Sequence, residues 1–141
     1  MSGKYLIFGA TGSIGSNLAK MMVTKKKDVQ LIGRDENGLK LLSSELNCKY
    51  SVIDVLDESS VRSLKTEFDS HDIYGIAYCV GSIDLKPVRA VKKDDFLKCF
   101  ELNFFPIVET IKNFQDNLKK NKGSIVMFST VAVQRGFTNH S

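Results

Sequence analysis

Near the start of the chain, Phe8–Gly15 reads FGATGSIG and sets glycines three apart, at Gly9, Gly12 and Gly15. A short apolar run, KYLIF at 4–8, precedes the turn, and Ile14, Leu18, Met21 and Met22 follow it at helical spacing. A glycine-rich turn between a strand and a helix is suited to holding phosphates. Gly9 permits the tight turn, Gly12 lets backbone approach a pyrophosphate, and Gly15 lets the helix pack on the sheet. The N–H groups at the helix start, around Ser13, Ile14 and Gly15, face the anion, and the hydroxyls of Thr11 and Ser13 add donors. The plainer alternative is a strand-to-helix turn that happens to be rich in glycine.

Recognition of a ribose should lie about 20 residues further on, at the end of the second strand. The sequence there is IGRD, Ile32–Asp35. A carboxylate at the strand end would bind a ribose 2′-hydroxyl, as in NAD sites. Here the position is Gly33, which leaves room, followed by Arg34, whose planar fork suits a 2′-phosphate. NADP is therefore expected over NAD. Asp35 complicates this, because a slip of one residue would place a carboxylate there. Arg34 could also be an ordinary solvated arginine.

These residues need elements to position them, and the pattern along the chain supplies them. Strands are expected at 4–8, 28–33, 49–54, 74–81 and 123–130, and helices at 13–24, 36–46 and 57–68. Asp57 reads as an N-cap with Glu58 in the first turn. A loop at 82–92 holds Pro87, and a long helical stretch runs from about Lys93 to Lys120. Strands and helices alternating through short connections make βαβ units, hence an α/β fold with a parallel sheet and helices on both faces. The chain reads as one domain, 1–141. In the long helix Phe96, Phe100, Phe104, Ile107, Ile111 and Phe114 form one stripe, with Leu97, Phe105, Val108 and Leu118 on neighbouring faces. A helix apolar over so wide an arc is covered on two sides.

Other classes are disfavoured. The net charge is +4, but the runs Lys25–Lys27 and Leu118–Gly123 close helices, where cations suit the dipole, and neither interleaves aromatics as a nucleic-acid patch would. No apolar run reaches the roughly 18 residues of a membrane helix, and the five-residue apolar stretch near the N-terminus is too short for a signal-peptide core. A cytoplasmic protein is expected. Cys48, Cys79 and Cys99 are scattered and read as buried small hydrophobes. With only His71 and His140 beside them, no metal site is expected.

Taken together, FGATGSIG, the IDV of Ile53–Val55, the YCVG of Tyr78–Gly81, DDFLKCFELNFF and GSIVMFSTVA resemble, in order and spacing, the short-chain dehydrogenase/reductase family. The resemblance spans the whole chain. The glycine spacing departs from the family's commonest T-G-x-x-x-G-x-G and looks more like its extended or atypical members. Only Gly81 matches the family's N-N-A-G. The resemblance implies a three-layer, doubly wound Rossmann sheet of about five strands in the order 3-2-1-4-5, with the family's later strands absent. It implies that Asp54 and Val55 meet the adenine, that Asn103 is the catalytic asparagine whose backbone holds a water, and that Thr130 is the catalytic hydroxyl, with Ser129 in reserve. Thr130 and Ser129 could instead simply end a strand. Pro106 leaves the Leu102 carbonyl without its helical donor, so the helix is open to interruption at Asn103; a kink without a functional water is the plainer reading.

The family's acid/base is a tyrosine followed four residues later by a lysine, about a dozen residues past the hydroxyl. No tyrosine follows Tyr78. The chain therefore reads as the N-terminal half to two-thirds of such a domain. The expected function is an NADP(H)-dependent oxidoreductase acting on a small carbonyl or alcohol, the 141-residue chain itself binding cofactor weakly and without turnover. The alternative is a non-catalytic nucleotide-binding module, a redox-sensing regulator or scaffold. A homo-oligomer through the helix around 93–120 is expected, since family members commonly dimerise there.

Overall fold

A computed structural model describes residues 3–68 and 72–138. The order of elements is β1 (Lys4–Phe8), α1 (Ser13–Thr24), β2 (Asp28–Gly33), α2 (Glu36–Leu46), β3 (Lys49–Val52), α3 (Glu58–Glu67), β4 (Ile73–Tyr78), α4 (Lys93–Asn103), α5 (Phe105–Asn121) and β5 (Ser124–Met127). Short 3-10 turns sit at Val88–Ala90 and Val131–Val133. All the pairings are parallel, and the strands lie in the order β3-β2-β1-β4-β5.

The alternation along β1 builds the two faces. Leu6 and Phe8 join a cluster with Val61 and Leu64 of α3 and Phe114 and Leu118 of α5. Ile7 points the other way, into a cluster with Ala19 of α1 and Leu39 and Leu42 of α2. A strand buried on both faces has to be apolar throughout, as β1 is. The helix starts are set by side chains. Asp35 accepts a hydrogen bond from the Gly38 N–H and Asp57 from the Ser59 N–H, satisfying donors that the first turn leaves open.

Three strands are shorter than the sequence predicts, and pairing explains each. β3 stops at Val52, opposite Gly33, where β2 ends. β4 stops at Tyr78, opposite Phe8, because the chain turns away at Gly9. β5 pairs only with β4 and stops opposite Tyr78, at Met127. The run of apolar residues beyond each stop belongs to the loops.

The long helix is broken. Phe104 lies between α4 and α5 with φ −124° and ψ −59°, off helical geometry. The Ile107 N–H donates to the Phe104 carbonyl at 3.1 Å, and Pro106 has no N–H to offer Leu102. The break corrects the expected single stripe. In α5 the inward face is Pro106, Thr110, Phe114 and Leu118. Phe96, Phe100 and Phe104 are exposed instead, with Phe100, Phe104 and Phe105 grouped at ring distances of 5.7–6.4 Å. Among the described residues no helix is long and apolar enough to cross a membrane.

Candidate functional site

At the carboxyl ends of β1, β2 and β4 the structure opens a cleft of about 360 Å³. Its walls are the β1–α1 turn (Gly9, Thr11, Gly12), the end of β2 (Ile32, Gly33, Arg34), the segment after β3 (Ile53, Asp54, Val55) and the segment after β4 (Cys79, Val80, Gly81, Ser82), with Leu102 of α4. Ligands of open α/β sheets bind at such a place, where the strand order reverses on either side of β1.

The glycines of the turn have different reasons. Gly9 has φ +73°, and a Cβ there would sit 2.9 Å from the Cys79 backbone. A Cβ on Gly15 would overlap the Gly9 carbonyl, so α1 packs against the turn only because Gly15 has none. Gly12 is in ordinary extended geometry, and its Cβ position meets only the Gly9 oxygen, at 3.4 Å. The fold does not require glycine there, and its bare side adjoins the cleft. α1 begins with no side-chain cap and no acidic residue in its first turn, whereas α2 and α3 have both. Its first N–H groups therefore have no side-chain acceptor of the kind that caps α2 and α3.

The structure resolves the Gly33–Asp35 register. Gly33 ends β2, Arg34 lines the cleft, and Asp35 is spent as the α2 cap, its Oδ1 3.1 Å from the Gly38 nitrogen. Asp54 lines the cleft while its Oδ1 accepts from the Leu56 N–H at 3.0 Å. Gly81 lies against Asn103, whose Oδ1 would be 3.1 Å from a Cβ.

Asn103, the last residue of α4, clamps the loop after β4. Its Oδ1 accepts from the Ser82 N–H at 2.8 Å, and its Nδ2 donates to the Ser82 and Cys99 carbonyls, each at 3.0 Å. A second tie lies further along the loop. Lys86 bridges Asp84 at 2.7 Å and Asp95 at 2.8 Å, and the hydrogen bond from Lys86 holds the Asp95 carboxyl below its ordinary pKa. Burial pushes the Cys79 thiol up to about 11, so it stays neutral in the cleft wall.

Of the residues expected from sequence, Gly9, Thr11, Gly12, Arg34, Asp54, Val55 and Gly81 come together around the cleft. Gly15 supports it from behind; Ser13 and Ile14 are exposed at the start of α1. Asn103, Ser129 and Thr130 are not in its wall. Thr130 caps the turn at Val131–Val133, its Oγ1 accepting from the Ala132 N–H at 3.2 Å. The sequence reading missed Ile32, Ile53, Val80, Ser82 and Leu102, and it treated Cys79 only as a buried thiol. Ile32 and Ile53 could have been found as the last buried residues beside neighbouring strand ends. Among the described residues no group of His, Cys, Asp or Glu is placed to hold a metal; His71 and His140 lie outside them.

Strand order, parallel pairing and cleft define a doubly wound domain of the dinucleotide-binding type. The short chain dehydrogenase family model matches residues 4–141, and the chain belongs to that family of oxidoreductases. It is 28% identical over 132 residues to L-fucose dehydrogenase of Oryctolagus cuniculus, covering 89% of this chain and 46% of that one. It is 26% identical over 142 residues to an uncharacterized oxidoreductase of Saccharomyces cerevisiae, covering 95% and 56%. The chain thus spans about half the length of these curated relatives. A short-chain type dehydrogenase/reductase from Mycobacterium ulcerans superposes with TM-score 0.90 at 19% identity, over 99% of this chain and 56% of that one. Actinorhodin polyketide ketoreductase, solved with NADPH, gives TM-score 0.88 at 18% identity, over 99% and 57%.

Proposed function

We propose that residues 1–141 form the cofactor-binding part of an NADP(H)-dependent oxidoreductase acting on a small carbonyl or alcohol. The observation that carries this is the uncapped start of α1 beside a cleft whose far wall holds Arg34. The residues fit a dinucleotide. Gly12 leaves room for a pyrophosphate, whose charge the N–H groups of Ser13, Ile14 and Gly15 and the hydroxyls of Thr11 and Ser13 complement. Gly33 clears space beside Arg34 for a 2′-phosphate. Asp54 and Val55 border the position for adenine. The NADPH in the polyketide ketoreductase agrees with this assignment.

When bound, the nicotinamide supplies or accepts the hydride. In this chain Asn103 orders the loop after Gly81, and its carbonyl, bypassed by the Ile107 N–H, is available to a relay water. Thr130 donates its hydroxyl hydrogen to the substrate oxygen, its lone pair already accepting from Ala132; Ser129 is the alternative donor. The exposed phenylalanines of α4 and α5 support a homo-oligomer through this face, and the chain fits a cytoplasmic protein.

Titration followed by NADPH fluorescence tests the reading. Saturable binding with NADPH preferred over NADH is expected; no binding of either overturns it. The second reading, a non-catalytic NAD(P)-binding regulator or scaffold, draws on Tyr78–Val80 standing where the family has N-N-A. Activity in the gene's full-length product decides against it.

A further inference from the structure

The strands all run the same way, so the connections that enter them meet at one end of the molecule, opposite the cleft. Those connections are rich in lysine. Lys25, Lys26 and Lys27 lead into β2, Lys49 opens β3, and Lys119 and Lys122 precede β5, all six exposed. The carboxylates beside the strand starts, Asp28 and Asp72, are taken by Lys4 at 2.9 Å and Lys120 at 3.4 Å. Among the described residues none of the six makes an ion pair, whereas Lys40 and Lys112 on helix flanks find carboxylates at 2.7 and 2.6 Å.

Two of these lysines hold a backbone conformation that lysine disfavours. Lys26 follows α1 with φ +55°, and Lys122 caps α5 with φ +51°. Helices often close in this left-handed region, but on glycine or asparagine, as α2 does on Asn47. A lysine there brings its Cβ against the backbone. α1 and α5 pack on opposite faces of the sheet, so the two lysines bracket its end. Strain kept at two places on one face is a mark of function rather than of folding.

The chemistry of the face narrows its partner. No arginine lies in these connections, and no aromatic interleaves Lys25–Lys27 or Lys119–Lys122. Planar guanidinium forks and stacked rings are what recognition of nucleic acid uses. Separate ammonium groups, spread over the roughly 20 Å from β3 to β5, suit a broad layer of negative charge instead. We propose that this end of the molecule docks on an anionic lipid surface, held by charge complementarity alone, with the cleft at the far end left open. Clusters of about four to eight lysines bind such surfaces without any apolar anchor. The inference does not depend on which dinucleotide the cleft takes.

Co-sedimentation with vesicles tests it. Vesicles of phosphatidylserine and phosphatidylcholine in equal parts should retain the chain at low salt and release it as salt rises. Lys26→Asn with Lys122→Asn removes two cations and gives both positions a residue suited to their backbone. Tm should hold or rise, while vesicle affinity falls about 10–30-fold. Lys93→Gln with Lys98→Gln takes the same charge from α4, whose Leu102 lines the cleft, and should change affinity less than about twofold. Equal binding to phosphatidylcholine alone, no binding to the anionic vesicles, an equal loss in both double variants, or tighter binding to duplex DNA overturns the proposal. A lower Tm in the asparagine variant would make the two lysines structural and overturns it as well.

Discussion

At the residue scale, the turn separates glycines the fold needs, Gly9 and Gly15, from one it does not, Gly12. Gly9→Ala forces a side chain into positive φ against the Cys79 backbone and should cost about 1–3 kcal/mol of stability by chemical denaturation. Gly12→Ala should stay within about 0.5 kcal/mol of the parent, yet bind NADPH at least about tenfold more weakly. Equal loss of stability in both variants would mean that Gly12 is structural. Arg34→Ala should weaken NADPH by about 10–100-fold, the worth of a charge-assisted contact, and leave NADH nearly unchanged. The thiols give a pH test. Burial raises the Cys79 pKa to about 11, so the folded state holds this proton more tightly than the unfolded chain. Its contribution is complete below the ordinary thiol range and is lost as pH rises towards 11, so stability by circular dichroism should fall over that window. The glycines were legible in the sequence because each constrains backbone directly. The task of Asp35 was not, because ribose binding and helix capping differ by one residue in where β2 ends.

At the element scale, periodicity located every strand and helix up to α3 closely, because each has one partner set on each face. It failed at the α4–α5 break, where apolar residues continue at helical spacing through Phe104 and hide the change of inward face. Pro106, from which the sequence reads an interruption near Asn103, carried the signal that periodicity lacked. The caps can be tested singly. Asp35→Ala should cost about 1 kcal/mol by removing the acceptor for the Gly38 N–H. The loop between β4 and α4 has an acid limit. Lys86 depresses the Asp95 pKa, so this tie is present at neutral pH and lost as pH falls through the lowered value. Asn103→Ala should release the other tie at any pH, seen as faster hydrogen exchange at the Ser82 amide; unchanged exchange would mean that the clamp is redundant.

At the scale of the whole molecule, the chain exposes 9330 Å², against about 7,300 Å² for a typical folded monomer of this mass. Phe96, Phe100, Phe104 and Phe105 are each about half exposed. Light scattering should therefore find an oligomer, and Phe100→Asp should shift it towards monomer without altering NADPH affinity. A monodisperse parent monomer would refute the interface. The strand order followed from resemblance to a family, because no local property of β1 says which later strand will lie beside it. That topology also has a consequence during synthesis. Of the five strands described, the earliest in the sequence, β1, lies between β2 and β4. Its β2 edge closes early, but its other edge waits for Ile73–Tyr78. At translation rates of about 5–20 residues per second, that edge stays open for several seconds. Slow codons between the β2 and β4 segments would lengthen this exposure, so silent changes there should alter the soluble yield while leaving the finished molecule identical.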